Sequence, residues 1–159
     1  MATSTPLRGT NTALTFAAAD STLASGGYAV SSAIETLTAG AGAIAADDLA
    51  VTISAGIAAT AVAYDTISVF AVSSIDGTTF SDAPADGSTD STHDANMASV
   101  GSLTVPSAAA QTLVMTLQDV AASFGGWLPP YIKIVVKNNT GAALTSLAGT
   151  YQGLNESIA

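Results

Sequence analysis

The side chains of this 159-residue chain that first invite a chemical reading are one histidine and four evenly spaced aspartates. Asp82, Asp86, Asp90 and Asp94 recur at every fourth position of SDAPADGSTDSTHDAN (81–96), with His93 among them. Loop carboxylates supply the oxygen ligands of which calcium takes about six to eight. The spacing, however, is not the EF-hand order of alternate acidic positions leading to a glycine. His93 is the only histidine available as the base of a Ser–His pair, and such a base needs both a fixed partner and a group that orients it. Within so polar a segment it reads as a solvated loop residue. The expectation is a long, exposed acidic loop with no metal and no catalytic group.

Other routes to chemistry are weaker. Acid–base work on a glycoside would draw two carboxylates from Glu35, Glu156 and the ten aspartates, and nothing in the sequence sets two of them across a cleft. The glycine-rich pieces ASGG and TAGAGA lack the lysine of a phosphate loop and the strand–helix setting of a dinucleotide site. Trp127, between Gly125-Gly126 and Pro129-Pro130, offers a face on which a sugar ring would stack, but as the largest apolar side chain it reads first as a packing anchor. These observations predict a non-enzyme with no cofactor.

Composition narrows the partners. Three cations, Arg8, Lys133 and Lys137, face twelve carboxylates, for a net charge of −9, and only 9% of residues are charged. Nucleic acid needs a cationic face that neutralises phosphates, and anionic membranes need the same, so neither is an expected partner. Cysteine is absent, which removes disulfides and thiolate sites. The opening MATSTPLRGT has no basic stretch followed by an apolar block, so no export signal is read there. The most apolar run, 49–64, is short for a bilayer span and ends at Asp65. Large apolar anchors are few among the many Ala, Gly, Ser and Thr, so part of the order is expected to come from self-association or docking.

The elements that would position these groups are strands. Residues 1–25, small and polar, read as a flexible or extended arm, followed by one domain over 26–159. Tyr28, Val30 and Ile34 alternate; so do Leu49, Val51 and Ile53, after a small-residue connector at 36–48. From Ala61 to Ser73 both parities are apolar, as in a central strand. Asp76-Gly77 between Ile75 and Phe80 predicts a tight β-hairpin. Strands follow at about 98–105 and 111–117, then a short helical turn in DVAASFGGW ended by Gly125-Gly126. In YIKIVVK, Ile132, Ile134 and Val136 face one way, while Lys133, Val135 and Lys137 face the other, a side expected to be solvated or to meet a partner. NNTG closes that strand, and a last one covers 145–152. The pattern predicts an all-β sandwich of about eight strands, jelly-roll-like, with Trp127, Tyr131, Lys133 and Lys137 as candidate partner contacts.

Three pieces carry a family resemblance: SSIDGTTFSD at 73–82, FGGWLPPYIKIVVKNNTGAAL at 124–144 and GTYQGL at 149–154. In order and spacing they resemble virion structural proteins of tailed bacteriophages, of the head decoration or cement type. The resemblance spans roughly residues 60–154. It implies a small β-sandwich bound to the major capsid protein on the outside of the head, stabilising the shell and assembled in a bacterial cytoplasm. A homo-oligomer is expected, a trimer by match to shell symmetry. A tail or baseplate component and a carbohydrate-binding sandwich module are the competing expectations.

Overall fold

The computed structural model describes residues 4–36 and 46–158, and alternation turns into sheet over nearly half of that length. The ten strands are β1 (Ser4–Arg8), β2 (Thr12–Leu14), β3 (Tyr28–Val30), β4 (Ile34–Glu35), β5 (Asp48–Ile57), β6 (Thr66–Ser74), β7 (Ala98–Thr104), β8 (Gln111–Leu117), β9 (Tyr131–Asn139) and β10 (Leu144–Ile158). No α-helix occurs among the described residues, only three short 3-10 turns, at Ala18–Thr22, Ser91–His93 and Val120–Phe124.

All eight pairings are antiparallel, and six of them nest. β1 and β2 lie end to end along β10, and β3 and β4 lie end to end along β9. β5 then pairs with β8, and β6 with β7. The chain is therefore one long hairpin whose tip lies between β6 and β7. Rolling that hairpin joins β10 to β5 and β9 to β6, giving two sheets in the orders β1/β2-β10-β5-β8 and β3/β4-β9-β6-β7. This is a jelly-roll β-sandwich, and its ten segments occupy eight strand positions because two positions are interrupted.

One interruption has a visible repair. Between β3 and β4 the Ser31 hydroxyl accepts the Ile134 N–H, while the Ser31 N–H bonds the Ile134 carbonyl, so no ladder group is orphaned at the break. The core between the sheets is built by one parity of each strand. Leu49, Val51, Ile53, Ala55 and Ile57 of β5 meet Ile67, Val69 and Ala71 of β6 and Ile132, Ile134 and Val136 of β9, all essentially inaccessible.

Several expectations are corrected here. Residues 4–25 are held in the sandwich rather than forming a separate arm: β1 and β2 form an edge of the first sheet, and Leu14 is buried. The strand expected from Ala61 starts at Thr66; before it the chain turns, leaving Val62 and Tyr64 exposed. Asp76-Gly77 does make a turn, with Gly77 at φ +72°, yet no hairpin follows. β6 pairs instead with β7, and the segment after the turn returns only the Ser81 N–H to the Ser73 carbonyl. The connector at 36–48 lies mostly outside the described residues.

Candidate functional site

The acidic segment at the hairpin tip is a cover, not a free loop. The outer face of the β3-β9-β6-β7 sheet carries Tyr28, Val72 and Val135, all buried, and Met97 closes over them with Phe70, Phe80 and Ala83 packed alongside. This second, smaller core explains why both parities of β6 and β9 are apolar. The side of β9 expected to be solvated is therefore covered. Val135 is inaccessible, and Lys137 is 9% exposed.

Each aspartate of the evenly spaced set has its own task. Asp86 Oδ1 accepts the Val30 N–H at 2.8 Å, and the Tyr28 backbone exchanges hydrogen bonds with Gly87 and Ser88, which pins the cover to the edge of the sheet. Asp90 caps the 3-10 turn at Ser91–His93 by accepting the Thr92 N–H. Asp82 accepts from Asn96 Nδ2 and faces His93 Nδ1 at 3.2 Å, and the Asn96 and His93 hydrogen bonds hold its carboxyl below the usual range. Asp94 accepts both the Tyr28 hydroxyl and the Lys137 ammonium. A four-residue period in a non-helical loop spreads the carboxylates rather than gathering them. No group of three or more acidic or histidine side chains suited to a metal occurs among the described residues.

Lys137 lies 5.1 Å from the Tyr28 ring centroid, so its charge is met by a carboxylate and an aromatic face together. Burial pushes its pKa down, but the hydrogen bonds and charges of Asp94 and Tyr28 outweigh burial and leave it above the ordinary lysine value. Burial and the Asp94 hydrogen bond raise the Tyr28 hydroxyl. Lys133, half-buried, lies 4.6 Å from the Phe80 centroid. Of the four candidate contacts, the two lysines thus hold the cover down, Lys137 from the interior. Alternation put them on one face correctly; nothing in the local pattern revealed that a segment some forty residues earlier folds over it.

Trp127 is placed differently from the packing anchor expected of it. Gly125 and Gly126, at φ +86° and +97°, end the 3-10 turn in the left-handed region that favours glycine. The chain then buries Leu128 and Pro129 and leaves Trp127 60% exposed. It borders a shallow recess with Ile75, Pro129, Ser73, Thr79 and Ser81. Ile75 is 85% exposed, held out by the turn whose geometry Asp76 fixes. Asp76 Oδ1 accepts the Thr78 and Thr79 N–H groups, each at 2.8 Å, and the Ser74 hydroxyl. Those bonds hold the Asp76 carboxyl far below the usual range. Tyr131, half-buried, packs beneath this turn, its ring about 3.1 Å from where a Gly77 Cβ would stand.

The recess therefore joins two distant segments, 73–81 and 127–129, into a rigid patch of apolar surface rimmed by hydroxyls. His93, by contrast, has an orienting carboxylate in Asp82, and no hydroxyl is bonded to its ring among the described residues. Comparison of the chain with family models, with curated proteins and with solved structures finds no match.

Proposed function

We propose that this protein is a virion structural protein of tailed-phage type, a decoration or cement protein that binds the major capsid protein on the outside of the head and stabilises the shell. One observation carries the reading. Two of the three pieces that bear the resemblance, SSIDGTTFSD and the FGGWLPP portion of the second, converge on the Trp127–Ile75 recess, where the chain exposes two large apolar side chains. Exposed aromatic anchors on rigid turns are what a binding surface needs, since little side-chain entropy is lost on docking.

The rest of the molecule suits such a role. A double sheet with a second core on one outer face gives a stiff body. Many copies on a symmetric shell convert weak contacts into firm attachment. The deciding experiment adds purified protein to expanded heads that lack it. Bound protein and a raised disruption temperature are expected; heads that neither bind it nor gain heat resistance would overturn the proposal. Separated heads and tails, probed by mass spectrometry, distinguish this role from a tail or baseplate component.

One observation favours a second reading. Trp127 stands beside the Ser73, Thr79 and Ser81 hydroxyls, an arrangement that also suits stacking and hydrogen bonding to a sugar. Glycan binding that is lost in Trp127→Ala, with no binding to heads, would favour a carbohydrate-binding module.

A further inference from the structure

We infer that two copies of this chain join edge to edge through β8, about a two-fold axis at Val114, to make one continuous sheet across the pair. Of the four sheet edges, three are guarded. β1 carries Pro6 and Arg8, which blunt a strand edge. The β3/β4 edge is broken into two short pieces, and its Tyr28 backbone is already bonded to the cover at Gly87 and Ser88. On β7 the Ser99 carbonyl accepts the Ser123 hydroxyl, so the 3-10 turn covers that edge.

β8 has none of these devices. Among the described residues it pairs only with β5, and QTLVMTL holds no charge, no proline and no glycine. No charged residue stands between Asp94 and Asp119. In a chain of net charge −9, this is a stretch along which two copies approach without bringing carboxylates together.

The strand is also its own complement. An antiparallel partner centred on Val114 sets Thr112 against Thr116 of the second copy, Leu113 against Met115, and Val114 against itself. All seven residues pair in this register, and a one-residue slip would set outward against inward side chains. Val114 is 65% exposed while Leu113 and Met115 are half-buried, so pairing covers the first and extends the core with the others. Uncharged rows already cross the sheet, Ala148–Ser54–Val114 and Thr150–Thr52–Thr116, with the two threonine hydroxyls of the latter 2.9 Å apart. The two-fold axis continues both rows into the second copy.

The inference is independent of the recess and of the capsid reading, and it replaces the trimer expected from shell symmetry with a dimer. Light scattering on the full chain should give twice 15.5 kDa. Val114→Lys, which sets two ammonium groups against each other at the axis, should halve that mass. Because the chain has no cysteine, Val114→Cys provides a unique thiol, and opposed strand positions lie within disulfide reach. Under mild oxidant it should crosslink rapidly to a dimer, while Ile75→Cys should not. A monomeric wild type, an oligomer that survives Val114→Lys, or Val114→Cys crosslinking no faster than Ile75→Cys overturns the inference.

Discussion

Lys137 and Asp94, forty-three residues apart, form an ion pair on the outer face of the second sheet, and through it the acidic segment is fastened over Tyr28, Val72 and Val135. The side chain of Lys137 is 11% exposed and that of Asp94 34%. The pair is thus sheltered on one side and open on the other.

Removing the carboxylate leaves a sheltered ammonium with only the Tyr28 hydroxyl and ring beside it, and no counter-charge. Asp94→Ala should cost about 1–3 kcal/mol, below the range of fully buried pairs because Asp94 is partly in water. For a chain of this size that corresponds to a fall in Tm of roughly 2–4 °C per kcal/mol. Adding Lys137→Met should restore much of the loss, since an apolar side chain in that place needs no counter-charge. Denaturant titrations of the three proteins check this; an unchanged midpoint in Asp94→Ala would show that the pair does not fasten the cover.

The same cluster makes stability fall at alkaline pH. Lys137 and Tyr28 both hold their protons more tightly in the folded state than in the unfolded chain. Their contribution is complete below the unfolded values, about 10 for both, and is lost as pH rises through the raised folded values. Denaturation midpoints from pH 8 to about 11 should decline in the wild type. In the Tyr28→Phe, Lys137→Met double variant the decline should be shallower. Equal slopes would break the link between this cluster and alkaline unfolding.

A third test concerns the N-terminal segment. Leu14 is 7% exposed and packs where a Cβ on Gly149 would stand, 2.8 Å from its Cδ1. If β1 and β2 belong to the sandwich, Leu14→Ala opens a cavity in the main core and should cost about 2–4 kcal/mol. A merely tethered arm would leave the unfolding midpoint where it was.

Local patterning carried most of the strands. Alternation in β8 and β9 marks their extents and, with that of β5, their inward parities, and the Gly125-Gly126 stop and the NNTG turn were legible from residue type. Asn138 shows why the last works: its buried amide donates to the Leu23 and Ala142 carbonyls and accepts from Thr140. What local patterning could not give was any decision made by distant chain. Asp76-Gly77 has the chemistry of a hairpin turn, but β6 finds a longer partner in β7. Val135 and Lys137 look like an outer face until the segment at 81–97 returns to cover them. Trp127 looks like core because of its size, whereas the smaller Leu128 and Pro129 fill the space below it.

That last reversal sets the sharpest functional prediction. Because Trp127 is 60% exposed and the neighbouring anchors are buried on their own, Trp127→Ala should change stability by no more than about 0.5–1 kcal/mol. An aromatic anchor in a partner-facing recess, by contrast, contributes about 2 kcal/mol or more to association, close to a thirtyfold change in Kd. The variant should therefore fold normally by circular dichroism yet lose most of its binding to heads, and Ile75→Ser should weaken binding through the same recess. Undiminished binding in both variants would move the contact surface elsewhere on the sandwich. A large stability loss in Trp127→Ala would mean that the indole packs after all.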